Sequence, residues 1–197
     1  MLPRERLSEL VRQVDAIVAG GISGAFVECG TWRGGASFLM ALRAPDRRVW
    51  MFDSFEGLPP PAPIDGPAAA QWAADTDGPD YHDNCRASAA RVAADAARLG
   101  IADRVEVVKG WFEDTLPARR DEVGPIALLR IDADWYDSVR TCLDSLLDLV
   151  VPGGFVIFDD YYDWDGCAIA VHEALAAQHL PYRIYQGACA FLRVPQP

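Results

Sequence analysis

Five short apolar runs, interleaved with segments of helical periodicity, limit this chain to a small set of folds. The runs are Ala25–Cys29, Val49–Phe52, Arg104–Val108, Ile126–Ile131 and Phe155–Phe158. Strands that alternate with helices are parallel neighbours joined by crossovers, and the helices cover both faces of one sheet. Ahead of the first run, Leu7, Leu10, Val11, Val14, Ile17 and Val18 recur at helical spacing, with Glu9, Arg12, Gln13 and Asp15 opposite and Gly20-Gly21 as the stop. Further helices are predicted from Ala36 to about Arg43, and from near Tyr81 to Leu99 with Cys85, Ala89, Val92, Ala96 and Leu99 inward. A Ser138 cap opens another, through Val150, with Val139, Cys142, Leu143, Leu146 and Val150 inward; the last runs from about Ala168 to Gln178. Tyr182–Tyr185 and Cys189–Val194 flank Gly187 and read as an antiparallel hairpin. The expected architecture is a doubly wound, Rossmann-like α/β fold over residues 1–197. It has a mainly parallel seven-stranded sheet, a C-terminal antiparallel hairpin and a single domain.

One stretch breaks the alternation. Pro59, Pro60, Pro61, Pro63, Pro67 and Pro79 argue against regular structure over much of residues 54–80, which reads as a substrate-facing rim. About 24 residues precede the first strand, enough for one helix, so the substrate's cover is expected from residues 54–80 or from a neighbouring subunit. Charge narrows the partners: 18 Lys and Arg against 29 Asp and Glu give a net −11. Phosphate backbones and anionic lipids repel such a surface, so neither nucleic acid nor membrane is expected. No run approaches the ~20 apolar residues of a membrane span. The charged stretch Met1–Gly20 also lacks the apolar core of a secretion signal. Cysteines 29, 85, 142, 167 and 189 are odd in number and form no Cys-x-x-Cys pair, which fits reduced thiols in a cytoplasmic protein.

Chemistry is expected at the strand ends. Four strands close on carboxylates: Glu28, Asp53, Asp132 and the pair Asp159-Asp160. Doubly wound sheets bind ligands at the carboxyl ends of their strands, where strand order reverses. A lone Asp there is an ordinary turn or cap residue, but several at one edge repel unless a cation compensates. The turn Glu28-x-Gly30-x-x-x-Gly34-Gly35 opens a helix. Gly30 would admit a close ligand, and Gly34 and Gly35 tight helix–strand packing. The spacing departs from G-x-G-x-x-G. Asp53 is placed to accept from both hydroxyls of a ribose, as NAD and S-adenosylmethionine alike present. Asp132, Asp159 and Asp160 form a hard-oxygen set suited to Mg²⁺ or Ca²⁺ rather than zinc.

Five blocks in order carry a family resemblance: Phe26–Ser37 (FVECGTWRGGAS), Phe52–Pro59 (FDSFEGLP), Gly110–Pro117 (GWFEDTLP), Arg130–Ser138 (RIDADWYDS) and Pro152–Tyr161. Over about residues 22–175 the chain resembles the macrocin O-methyltransferase family. The resemblance implies a class I, S-adenosylmethionine-dependent and Mg²⁺-dependent O-methyltransferase acting on sugar hydroxyls of natural products. It assigns Glu28, Gly30, Thr31, Trp32, Arg33 and Ser37 to the methionine part of the cofactor, and Asp53, with Ser54 and Phe55, to its ribose. Gly110, Trp111 and Phe112 would lie at the adenine, the two aromatics flanking it. Asp132, Asp159 and Asp160 would hold the metal, with Asp132 also touching the cofactor and sharing in catalysis, and Asp134 would be the general base.

His82 is a rival base, and Tyr161, Tyr162 and Trp164 are candidates for a wall against a ring-shaped substrate. The expected partner is a small hydroxylated acceptor, a sugar or glycosylated natural product. Relatives often form dimers, so a homodimer is an expected assembly. Other acceptors or roles stay open: a catechol-like diol, a non-catalytic cofactor-binding subunit, or an NAD-dependent oxidoreductase that would leave the three metal carboxylates idle.

Overall fold

The computed structural model describes residues 2–179 and 182–196; readings that touch Met1, Leu180, Pro181 and Pro197 lie outside the described residues. The five apolar runs become parallel strands: β1 (Ala25–Cys29), β2 (Val49–Asp53), β3 (Val105–Lys109), β4 (Ile126–Ile131) and β5 (Val150–Phe158). β6 (Ile184–Gln186) and β7 (Ala190–Arg193) add the expected hairpin, β7 lying antiparallel to β5 as well as to β6. The described residues form one seven-stranded sheet in the order β3-β2-β1-β4-β5-β7-β6. Strand order reverses between β1 and β4, which places the ligand crevice at their carboxyl ends.

Period-two alternation sends side chains to two separate cores. Phe26, Val49 and Met51 pack with Leu10, Val14 and Ile17 of α1 (Arg4–Ala19), Met40 and Ala41 of α2 (Gly35–Arg43), and Val92 and Ala96 of a later helix, Ala89–Arg98. Val27, Trp50, Phe52 and Leu129 face the other way, toward Leu116, Val139, Leu143 and Val171. Each fully buried side chain of this size contributes about 1.5–3 kcal/mol, so both layers hold the sheet. No helix among the described residues is long and apolar enough to cross a membrane.

Several boundaries differ from expectation. Within residues 54–80, a 3₁₀ turn (Pro63–Asp65) leads into a helix, α3 (Gly66–Ala74), because Pro67 falls in its first turn, where a missing N–H costs nothing. The helix expected from Tyr81 starts at Ala89, as α4 (Ala89–Arg98). His82, Asp83, Asn84 and Cys85 instead all take left-handed φ between 47° and 57°, and Leu99 is its half-exposed cap. Helix α5 (Phe112–Val123) has no counterpart in the sequence reading, since Pro117 interrupts it and Leu116 and Val123 alone are buried. Helix α6 (Tyr136–Leu146) begins before Ser138, and Val150 belongs to β5; α7 (Asp165–Ala177) starts three residues early.

Asp65 explains the start of α6. Its buried carboxylate accepts the Tyr136 N–H at 2.7 Å through Oδ1 and the Ala62 N–H at 2.7 Å through Oδ2. Oδ1 also packs against Gly166 in the first turn of α7, where a Cβ would stand 2.0 Å away. A residue of the proline-rich segment thus caps α6 and leaves no room for a side chain at position 166 on α7. Asp65→Ala leaves two partly buried N–H groups without acceptors, a loss of about 2–4 kcal/mol. A melting temperature lower by roughly 5–12 °C is expected in thermal unfolding, with Asp65→Asn intermediate.

Candidate active site

Gly30, Asp132 and Asp159 stand just past the ends of β1, β4 and β5 because the ladders continue through them. The Gly30 N–H reaches Phe52 O at 2.9 Å, Asp132 N–H reaches Cys29 O at 2.8 Å and Asp159 N–H reaches Ile131 O at 2.9 Å. Above this edge lies a cavity of about 1370 Å³. Glu28, Gly30, Thr31, Trp32, Arg33, Asp53, Ser54, Trp111, Phe112, Asp132, Asp134, Asp159 and Asp160 all line it, as do His82, Tyr162 and Trp164. Three expected residues are placed elsewhere. Ser37 is buried and donates to Glu28 Oε2, Phe55 packs into the core beside α4, and Gly110 faces Thr115. Tyr161 also turns away, its hydroxyl 2.8 Å from His172 Nε2.

Two glycine readings are corrected. Gly30, at φ 89°, makes room for protein rather than ligand: a Cβ there would stand 1.6 Å from the Asp132 carbonyl oxygen. Gly34 does pack tightly, against the Phe38 ring, but Gly35 has nothing within 4 Å. Asp53 also does more than await a ribose. Its Oδ2 accepts the N–H groups of Thr31 (2.8 Å) and Trp32 (2.6 Å), and its Oδ1 that of Phe55 (2.6 Å), fixing the β1–α2 turn. Three of its four lone-pair sites are filled, leaving one for a further donor. Burial raises its pKa, opposed by those three N–H groups.

Beneath the acids lies a residue the sequence reading passed over. Arg130 is 2% exposed in β4, directly across from Glu28 in register. Its Nη1 donates to Glu28 Oε1 (2.5 Å) and Asp132 Oδ2 (2.9 Å), and its Nη2 to Asp159 Oδ1 (2.6 Å). Arg6 of α1 donates to Asp159 Oδ2 at 2.8 Å and to Asp163 at 2.6 Å. The signal was present: Arg130 is the one charge in the run Ile126–Ile131 and points to the same face as Asp132.

The carboxylates still exceed the guanidinium groups. Asp132, Asp159 and Asp160 each offer one oxygen within 4.8 Å of the others. Burial raises Asp160 well above the usual carboxylate range, and repulsion from Asp134 and Asp132 adds to it. Asp159 goes down, because Arg130 and Arg6 together outweigh its burial. Such a donor set, all oxygen with charge left uncompensated, fits a hard divalent cation.

Asp134 is held from two sides. Its N–H donates to Asp160 Oδ2 (3.0 Å), and its Oδ1 accepts from Trp164 Nε1 (3.0 Å), while its backbone takes the left-handed φ of 55°. Burial, then repulsion from Asp132, raises its pKa to about 7. Trp164 joins Trp135 (5.2 Å between ring centroids) and Trp72 of α3 (6.4 Å) in an aromatic wall, and Trp135 Nε1 donates to Pro59 O at 2.8 Å. His82 lines the cavity beside Trp32, with 5.7 Å between ring centroids.

Residues 1–192 match the family model described as Macrocin-O-methyltransferase (TylF). The chain belongs to this family. Among curated members of the macrocin-O-methyltransferase family it is 39% identical to 8-demethyl-8-(2,3-dimethoxy-alpha-L-rhamnosyl)-tetracenomycin-C 4'-O-methyltransferase of Streptomyces olivaceus, over 88% of this chain and 66% of that protein. It is 35% identical to mycinamicin III 3''-O-methyltransferase of Micromonospora griseorubida, over 88% of this chain and 68% of that one. The chain thus spans about two thirds of the length of these relatives. The solved structure of the O-methyltransferase NovP superposes with a TM-score of 0.84 at 29% identity, covering 97% of this chain and 80% of NovP. The Rossmann-like methyltransferase fold with its C-terminal antiparallel strands is therefore borne out.

The glycines offer a paired test. Gly30→Ala forces β1 and β4 apart and should cost about 4 kcal/mol or more, seen as a large loss of melting temperature or of soluble protein. Gly35→Ala, in open space, should stay within about 1 kcal/mol of the parent.

Proposed function

We propose that this protein transfers a methyl group from S-adenosylmethionine to a hydroxyl of a sugar on a natural product, with Mg²⁺ bound by Asp132, Asp159 and Asp160. The observation that carries this reading is that one cavity joins the β1–α2 turn, an exposed Trp111 and the three-carboxylate cluster at the edge where strand order reverses. Membership of the macrocin-O-methyltransferase family, with curated relatives named for methylation of glycosylated products, supports the acceptor class.

The cofactor supplies an electrophilic methyl on a sulfonium, and the metal lowers the pKa of the acceptor hydroxyl. The remaining work falls to the chain's own groups. Thr31 and Trp32, pinned by Asp53, shape the turn that receives the methionine part, and the remaining lone pair of Asp53 accepts one ribose hydroxyl. Trp111 lies against the adenine. The acidic lining favours a cofactor that carries a sulfonium and an ammonium group. Asp134 takes the hydroxyl proton at Oδ2, the oxygen left free by Trp164. Trp72, Trp164 and Tyr162 line the cavity and would orient the sugar so that its oxygen takes the methyl as S-adenosylhomocysteine leaves.

Incubating the purified chain with labelled S-adenosylmethionine, Mg²⁺ and a panel of glycosides should yield a methyl ether, lost on adding EDTA. Asp134→Asn should lower kcat by about 10²–10⁴-fold while calorimetric affinity for S-adenosylmethionine holds. A chain that binds no S-adenosylmethionine refutes the reading.

A further inference from the structure

We propose that Arg130 decides which divalent cation the site accepts, by holding Asp132 and Asp159 as one-oxygen ligands. The inference rests on the metal reading above and extends it to a residue outside the ligand set. Each of the three carboxylates has an oxygen already committed. Arg130 Nη1 holds Asp132 Oδ2 at 2.9 Å, Arg130 Nη2 holds Asp159 Oδ1 at 2.6 Å, and the Asp134 N–H holds Asp160 Oδ2 at 3.0 Å. Arg6 holds the second oxygen of Asp159 at 2.8 Å, and Cys189 Sγ also donates to Asp159 Oδ1 at 3.2 Å, which leaves this carboxylate one lone pair, on Oδ2. A cation bound here would meet carboxylates that cannot turn both oxygens toward it without giving up a charge-assisted hydrogen bond.

The clamp is rigid for reasons of fold. β4 is paired on both sides, with Arg130 opposite Glu28 on β1 and Ile157 on β5, which fixes its backbone, and burial to 2% exposure confines its side chain. The third arm, to Glu28, anchors the guanidinium at the β1 side. A planar guanidinium reaches all three carboxylates at fixed angles, which an ammonium on the same stem does not reproduce.

Cation choice follows from coordination. Mg²⁺ takes six ligands at about 2.0–2.1 Å, accepts single carboxylate oxygens and fills its shell with water or substrate oxygen. Ca²⁺ takes six to eight oxygens at about 2.3–2.6 Å and often uses both oxygens of one carboxylate. Three one-oxygen ligands would suit Mg²⁺, which keeps several waters, whereas Ca²⁺ would be held without the two-oxygen contacts and the larger ligand number it favours.

The alternative is that Arg130 only supplies positive charge to the interior. Arg130→Lys separates the two, since it keeps the charge and loses the fork. Mg²⁺ and Ca²⁺ are titrated separately, each as the metal alone, into the full chain by calorimetry, with thermal unfolding to confirm a cooperative fold. Asp160→Asn serves as the control that removes the site. The parent chain is expected to bind Mg²⁺ more tightly than Ca²⁺, and Arg130→Lys to move that ratio about tenfold or more toward Ca²⁺. A ratio within about twofold of the parent in folded Arg130→Lys and Arg130→Gln overturns the inference. So does tighter binding of Ca²⁺ than Mg²⁺ by the parent, a result that needs no variant to fold. If the parent binds neither cation, the metal reading falls and takes this inference with it, an outcome distinct from binding with an unchanged ratio.

Discussion

A guanidinium buried among carboxylates is the interaction on which the rest of this site depends. Without it, Glu28, Asp132 and Asp159 would meet at the ends of three adjacent strands with only Arg6, at Asp159, to offset their charges. Burial would then drive them to protonate or drive the strands apart. Arg130 permits the acids to share one edge because it reaches all three from a single paired strand. Removing one partner of such a group leaves an uncompensated charge in the interior, at a typical cost of about 3–5 kcal/mol. The Glu28 end and the Asp159 end of the cavity are therefore not independent modules. They are two halves of one ionic cluster, with Arg6 extending it to α1.

Packing and chemistry meet again at Gly30. The two strands flanking the crossover point approach so closely that no side chain fits between the end of β1 and the Asp132 carbonyl. That closeness brings Glu28 into reach of Arg130, and it carries Asp132 to the cavity floor. The positive φ of Asp134, two residues on, aims the next carboxylate into the same space. Backbone conformations rare for side-chain-bearing residues thus occur where strand ends turn into the site.

Much of this was legible from sequence. Period-two apolar runs ending in acids located the strands, the sheet edge and the carboxylates, because burial and turn formation act on a few neighbouring residues at a time. Ordered motif blocks then tied those residues to a family. What stayed hidden depends on distant partners. Asp65 reads as one more acid in a proline-rich stretch until Tyr136, 71 positions later, is seen donating to it. Helix α5 is masked by Pro117, and the left-handed turn at His82–Cys85 by residues that would equally suit a helix. Gly30 reads as a close approach to a ligand, and sequence gives no way to know that the approaching group is the Asp132 carbonyl. Arg130 was the legible signal that was passed over: a lone charge in a buried strand demands partners, and the acids at the strand ends were the available ones.

The Asp65 tether divides the chain by how freely it can change. The edge that carries the acids is fixed by ladders on both sides, whereas the segment bearing Trp72 is held by the Asp65 carboxylate, by a few single hydrogen bonds such as Trp135 to Pro59 and Leu58 to Asn84, and by side-chain contacts. Lengthening such a segment costs little, because closure entropy grows only with the logarithm of its length. Insertions between Asp65 and α4 would reshape the aromatic side of the cavity and leave the strand ends where they are. A lineage built on this plan can vary that wall by indel rather than by point substitution, with the acidic edge held constant throughout.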